Sequence, residues 1–386
     1  MAAYSLIIRR LLICSLTIVV SRALTGALLT QFLSHKLGLD QQDVGLLLGI
    51  AVFSATLLAL YGGYIIDRLD KRRLLILTML SSGIGFILLT FAQDLWLTTV
   101  VLVLVETASA LFLIGSKAII SECLPQEQRA RVFSLRYTLT NIGYATAPML
   151  GVVIAGYMFQ APFLLAGAIA LGSMWLMRGV GRGAVDIGKP LSFLTTLATL
   201  KNDRTLVIFT AGCLLSTIVH GRFTLYLSQY LMVTQEPRQA LDTMAALLAC
   251  NALCVIALQY QIGRFLKREQ LRYWIALGTA LFMAGLIGFS VADNLLLWCL
   301  AMLVFTLGEM IIYPAEFLFV DTLAPESLRG SYYAAQNLAA VGGALSPIIC
   351  GYLLTHSIPA SMFYVLAGLS AAGGCLCYRS ARRTGV

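Results

Sequence analysis

Charge is what this sequence has least of. Only 12% of its 386 residues are Asp, Glu, Lys or Arg, while 59% are hydrophobic and the mean hydropathy is +0.86. A soluble domain carries about 25% charged residues, so this chain cannot clothe an ordinary water-facing surface. Histidine is scarcer still: His35, His220 and His356 are the three, on separate segments. No H-E-x-x-H or G-x-S-x-G occurs, and Gly151-Val152-Val153-Ile154-Ala155-Gly156 runs on into tyrosine rather than into a phosphate-binding lysine. Those absences argue against an enzyme, an ATP-driven pump, a metal site or a cofactor. The nine cysteines are scattered through apolar runs, and neither Cys250-x3-Cys254 nor Cys375-x-Cys377 has zinc or redox spacing. They read as small core hydrophobes.

What is abundant is long apolar runs. A crossing needs about 20 apolar residues, and such runs fall near 11–34, 43–66, 74–92, 96–120, 132–157 and 162–181, then 205–233, 242–262, 271–292, 295–320, 331–355 and 359–378. The expected fold is an all-α integral membrane protein of twelve transmembrane helices in two six-helix bundles. The bundles would span 1–182 and 205–386, joined by a linker at 183–204. Within the linker, Leu191 to Leu197 can form a short helix lying on the membrane surface or serve as a tether.

With the N-terminus placed in the cytoplasm, twenty-one Lys and Arg fall on the cytoplasmic side and two, Lys36 and Arg238, on the other. That asymmetry is the positive-inside rule, and it assigns the net charge of +9 to topology rather than to nucleic acid. Both termini are then cytoplasmic, in a bacterial inner membrane. Arg9-Arg10 and the apolar run after them could pass for a secretory signal. Removing that run would leave eleven spans and break the repeat described next, so it is taken as the first helix.

The halves repeat at an offset of about 200. Pro125 and Arg129 answer Pro325 and Arg329; Gly143, Ala147-Pro148 and Gly151 answer Gly343, Ser346-Pro347 and Gly351; Ala92-Gln93-Asp94-Leu95 answers Ala292-Asp293-Asn294-Leu295. Parallel six-plus-six repeats predict a cavity at their interface and alternating access by rocking.

The loop Gly63-Tyr64-Ile65-Ile66-Asp67-Arg68-Leu69-Asp70-Lys71-Arg72-Arg73 resembles motif A of the major facilitator superfamily, with Asp70 in place of the family's second glycine. Span count, repeat and loop agree over the whole chain. Gly143 to Gly151, with Pro148, resembles the antiporter motif C, which implies the drug:proton antiporter (DHA1-like) branch of exporters. Within that branch Phe305 to Glu316 and Ser134 to Gly143 look most like exporters of small peptides. Glu106 stands at the place where many antiporters carry the motif B arginine. Physical reasoning gives motif A a role of its own. Gly63 permits close helix approach, and Asp67 can accept hydrogen bonds from the N-terminus of a facing helix. Arg68 and the basic run hold the loop at the anionic surface. Gly63, Asp67 and Arg68 are therefore candidate gate residues. In the second half Gly263-Arg264 stand where Asp67-Arg68 would repeat.

Charges inside spans are costly and mark function. Glu309 and Glu316 are two helical turns apart on one face, with Pro314 between them. They and Glu106 are the proton-coupling candidates; the competing reading makes Glu309 half of a static ion pair with Arg22 or Arg222. Arg22, Arg222, Tyr226 and Gln229 are the cavity candidates, the last three sharing a face of the seventh helix. On its other face His220 reads as a hydrogen-bonded interhelical residue, and Lys117 and Arg136 as snorkelling side chains. The expectation is proton-coupled export of a small amphipathic or zwitterionic molecule, such as a drug, peptide or metabolite, by a monomer. The partners would be substrate, protons and lipid, with no nucleic acid. Proton-coupled uptake of a nutrient is the alternative, and a non-transporting receptor a weaker one.

Overall fold

A computed structural model describes residues 5–39, 41–177 and 192–385, and every regular element in them is helical. The first half of the sequence supplies α1 (Leu6–Leu37), α2 (Gln41–Ile66), α3 (Lys71–Phe91), α4 (Leu95–Cys123), α5 (Gln126–Ala155) and α6 (Ala161–Leu176). After α7 (Phe193–Asn202), the second half supplies α8 (Arg204–His220), α9 (Phe223–Thr234), α10 (Pro237–Phe265), α11 (Leu271–Val291), α12 (Leu295–Leu323), α13 (Arg329–Asn337), α14 (Ala340–His356) and α15 (Ser361–Arg383).

Among the described residues, ten helical stretches are long and apolar enough to cross a membrane. With α1 and the shorter apolar α6 they occupy the twelve expected positions. Two expected spans are broken. The seventh is α8 plus α9, interrupted at Gly221-Arg222, and the eleventh is α13 plus α14, interrupted at Leu338-Ala339. The end expected for the sixth span, and the linker up to 191, lie outside the described residues. The linker's helix is α7, whose Phe193 ring packs edge-on against Tyr61 at 4.9 Å and Tyr64 at 5.3 Å.

Several repeated residues are helix starts. Asp94 accepts from the Leu97 amide at 2.8 Å and Asn294 from the Leu297 amide at 3.0 Å, so each satisfies an orphan donor at the first turn of α4 or α12. Asp70 does the same for α3, accepting from Arg72 N at 3.0 Å. The residue that replaces the expected motif A glycine is thus the cap of the next helix.

The chain forms two compact units, and each includes a short segment from the other half of the sequence. Unit 1 is Met1–Pro125, Leu139–Thr196 and Pro325–Ala334; unit 2 is Gln126–Thr138, Leu197–Ala324 and Ala335–Val386. Helix α5 therefore starts in unit 2 and ends in unit 1. In unit 1 a core gathers around Phe32, whose ring lies 4.2 Å from that of Phe163. Beside it Lys36 donates to the Leu89 and Thr90 carbonyls, each at 2.8 Å, closing the C-terminus of α3. The core of unit 2 is aromatic, with the Phe289 ring against those of Trp298, Phe305 and Phe363.

Candidate functional site

Within unit 1, residues 325–334 sit on α2 and α4. Gly63 makes the approach possible, since a Cβ there would lie 2.7 Å from the Gly330 carbonyl oxygen. One turn on, Asp67 takes the first amides of α13: Gly330 N donates to Oδ1 at 2.6 Å and Ser331 N to Oδ2 at 2.8 Å, with the Ser331 hydroxyl also on Oδ2 at 2.6 Å. These amides have no partner inside their own helix, and the helix dipole favours the negative charge. Burial pushes the Asp67 carboxyl up from 3.8 to about 6, although the Ser331 and Gly330 donors and the nearby Lys71 charge pull it down. Lys71 itself pairs with Glu122 at 2.8 Å, and the Arg68 guanidinium lies over the Tyr64 ring at 4.1 Å. Tyr333 completes the seat: its hydroxyl is 3.0 Å from Ser121 Oγ, and Lys117 lies 5.7 Å from its ring centroid. Lys117 is only 2% exposed, so it does not snorkel as expected.

Within unit 2, residues 126–138 are seated by the matching positions. A Cβ on Gly263 would run into Ser134 and come within 3.4 Å of the Ala130 carbonyl oxygen, as one on Gly63 would run into Ala334 and Gly330. Gly263 is therefore the counterpart of Gly63, not of Asp67, and the expected match of Gly263-Arg264 to Asp67-Arg68 is corrected. The polar contact comes from elsewhere. Asp321, at the position of Ser121, forms an ion pair with Arg129, and its side chain is fully buried. Phe133 meets Phe317 at 5.9 Å where Tyr333 meets Lys117 in the other unit. Arg131 stacks on Tyr260 at 4.8 Å, and Arg268 donates to Gln126 at 2.9 Å. Arg136 is 6% exposed, buried rather than snorkelling.

Deeper in unit 2, Glu309 is 7% exposed on α12. Asn251 Nδ2 of α10 donates to its Oε2 at 3.0 Å and also reaches Thr306 Oγ1 at 3.0 Å. The Tyr137 hydroxyl of α5 lies within hydrogen-bonding reach of the same carboxylate, while its ring packs on Tyr313 at 4.3 Å. Among the described residues no cation pairs with Glu309. Within unit 2, Arg222 forms no ion pair with it among the described residues. Glu316, also buried, accepts from Gln336 Nε2 at 3.5 Å and meets the Cys213 thiol.

The remaining candidates fall into both units. Arg22 and Glu106 form an ion pair inside unit 1, their side chains 37% and 20% exposed. Arg222 is exposed and precedes α9, whereas Tyr226 is fully buried. Arg222 is the N-cap of α9, outside its helical turns, so it does not share a helix face with Tyr226 as it would in a continuous seventh helix. Gln229 approaches Gly351 loosely, a Cβ there lying 3.9 Å from its Nε2. The His220 ring stacks on Phe282 at 5.6 Å, and its Nε2 has no hydrogen-bond partner among the described residues. The motif C-like residues pack α5 on α1: a Cβ on Gly143 would meet Val19 at 2.8 Å, and Gly151 lies against the Leu24 backbone. Pro148 lies inside α5.

Sequence reasoning passed over Asn251, Tyr137, Asp321 and Ser331. Asn251 and Asp321 carried a usable signal, a polar side chain in or at the end of an apolar run. Tyr137 and Ser331 carried none, because their roles depend on which unit their segment joins. Among the described residues no group of three His, Cys, Asp or Glu side chains could hold a metal ion.

The profile of the Major Facilitator Superfamily matches residues 11–341. An Escherichia coli (strain K12) protein described as the uncharacterized MFS-type transporter YdeE is 32% identical over 359 residues, 92% of this chain and 91% of that one. A Na(+), Li(+), K(+)/H(+) antiporter of Planococcus maritimus is 26% identical over 338 residues, 79% of this chain and 80% of its own. Among solved structures, the E. coli fucose:proton symporter FucP superposes with a TM-score of 0.77 at 16% identity, covering 98% of this chain and 99% of that one. At that identity the likeness is one of fold.

Proposed function

The chain belongs to the major facilitator superfamily, and from that premise we propose that it exports a small amphipathic or zwitterionic molecule in exchange for protons, by alternating access. The coarse part is settled by membership: it is a secondary transporter and a multi-pass membrane protein. The proton part rests on one observation. Glu309 is buried in a shell of neutral donors, with no cation beside it among the described residues. A carboxyl so placed gains or loses a proton without breaking an ion pair, which a paired one cannot do.

Export is supported by the motif C-like packing of α5 on α1 and by an antiporter among the relatives. Arg22 and Glu106 support a substrate bearing both charges. Their partly exposed pair offers adjacent sites for a carboxylate and an ammonium group, and an arginine facing lipid would be costly. The Asp67 seat with Gly63 and Arg68 is the gate element of this reading, and the basic asymmetry puts it and both termini in the cytoplasm of a bacterial inner membrane.

The test is counterflow in proteoliposomes with a radiolabelled panel of dipeptides, amino acids and quaternary ammonium dyes, under imposed pH gradients. Glu309→Gln should abolish proton-driven accumulation while preserving exchange of the substrate down its own gradient. Undiminished proton-driven flux in that variant would remove Glu309 from the mechanism and leave Glu316 and Glu106 to be examined.

A further inference from the structure

We infer that Tyr137 is the positioning residue that ties the protonation of Glu309 to the movement of α5. The inference rests on the reading of Glu309 as the proton-carrying group.

Two donors hold this carboxylate, and they belong to elements of different kinds. Asn251 is on α10, which lies wholly in unit 2. Tyr137 is on α5, the next-to-last residue of the stretch 126–138 that joins unit 2, and two residues later the same helix belongs to unit 1. A hydrogen bond from Asn251 therefore orients Glu309 inside one body. The bond from Tyr137 fastens that body to a helix which continues into the other.

The bond depends on charge. A hydroxyl donating to an ionised carboxylate makes a charge-assisted hydrogen bond, roughly twice as strong as a neutral one. Protonation of Glu309 removes that assistance, while the Arg129–Asp321 pair, the Arg131–Tyr260 stacking, the Arg268–Gln126 bond and the ring contacts of Phe133 and Tyr137 stay as they are. Proton binding thus loosens α5 at one point while leaving the α10 contact inside unit 2.

Other titratable groups surround Glu309. Cys254 on α10 and Tyr226 on α9 lie within electrostatic reach of it, and both belong to unit 2. His220 on α8 faces Tyr313, its ring 6.4 Å from that ring. The titratable residues of α11, Arg272 and Tyr273, are in its first turn. Arg136 adjoins Tyr137 and is buried with an interaction of its own.

The experiment needs no substrate. The full-length protein, with its native cysteines replaced, is placed in nanodiscs and spin-labelled at positions 73 and 273. Infrared difference spectra follow the protonated carboxyl band that Glu309→Gln eliminates, and pulsed electron paramagnetic resonance follows the 73-to-273 distance over the same pH range. In the parent protein the distance should change across the pH interval in which the band titrates. Tyr137→Phe keeps the ring on Tyr313 and should retain a titrating band, but the pH-driven distance change should fall at least about fivefold. Asn251→Ala removes a comparable donor and should leave the distance change in place, following the band wherever it titrates. Tyr137→His, which restores a donor, should recover the change in part. An unaltered distance response in Tyr137→Phe, or an equal loss in Asn251→Ala, overturns the role of Tyr137 while leaving Glu309 as carrier. A spectrum in which Glu309→Gln removes no titrating band overturns the carrier reading itself.

Discussion

The two seats that receive the exchanged segments share a backbone plan and differ in their chemistry. In each, a glycine two hundred residues from its counterpart lets a helix start lie flush: Gly63 under Gly330 and Ala334 in unit 1, Gly263 under Ala130 and Ser134 in unit 2. Upon that common plan unit 1 places a carboxylate on backbone amides, Asp67 with Gly330 and Ser331, whereas unit 2 places a carboxylate on a guanidinium, Asp321 with Arg129. Amide donors ask only for a helix N-terminus, and releasing them leaves groups that water satisfies at once. A buried ion pair cannot be opened so cheaply, because each partner left alone keeps its desolvation cost. The difference teaches that a duplicated fold can hold one seat firmly and the other lightly without changing the backbone.

Removing one partner in each seat puts this to its hardest test. Asp321→Asn removes the carboxylate that faces Arg129, whose side chain is 12% exposed, and should cost about 3–5 kcal/mol. Asp67→Asn keeps one accepting oxygen but sets an NH2 against the donors that the other oxygen served, and should cost about 1–2 kcal/mol. Thermal unfolding of the two purified variants in detergent gives the ranking, and equal losses would erase the distinction drawn between the seats.

The glycines sharpen the comparison at a smaller scale. Overpacking costs about 1–3 kcal/mol. Gly63→Ala should fall toward the upper end because the new methyl also meets a backbone oxygen at 2.7 Å, where Gly263→Ala meets one at 3.4 Å. Hydrogen exchange of the peptide covering 325–334 should rise more in the first variant than that of 126–138 does in the second. The reverse order would mean that unit 2 has the tighter approach.

The smallest expected effect is one of pH. The docked Asp67 carboxyl titrates near 6 and a solvated one near 3.8, so the docked form binds more protons between those values. Docking is therefore favoured as pH falls through 6 and levels off below about 4. From pH 7 to 5.5 the gain is about fourfold, roughly 0.8 kcal/mol. It should be read as slower exchange of the Gly330 and Ser331 amides after correction for the chemical rate. Asp67→Asn should flatten that dependence; persistence of the slope in the variant would assign it to another group.

Much of this was legible in the sequence. Apolar runs located the helices, and the offset of 200 identified residues that prove to be equivalent caps, such as Asp94 and Asn294. Motif A pointed to Gly63 and Asp67. What could not be read was partnership across distance. Nothing in the chain order announces that residues 126–138 belong with unit 2, and without that Tyr137 has no visible relation to Glu309. The break at Gly221-Arg222 also escaped, because hydropathy averages over a window and passes smoothly across two residues. Lys117 misled for a related reason: a charged residue near a span end usually reaches water, and its burial under Tyr333 requires the exchanged segment to be in place.

The neutral shell around Glu309 has a further consequence, in membrane voltage. An ion pair such as Arg22–Glu106 carries no net charge and crosses an electric field as a dipole. A carboxyl without a cation changes the net charge of its span with every proton it takes or gives. Moving one elementary charge through the full field is worth about 2.3 kcal/mol per 100 mV, and Glu309 experiences the fraction set by its depth. If the proton binds there, the potential across the membrane weights its occupancy directly, and transport should respond to voltage even when the pH on both sides is the same.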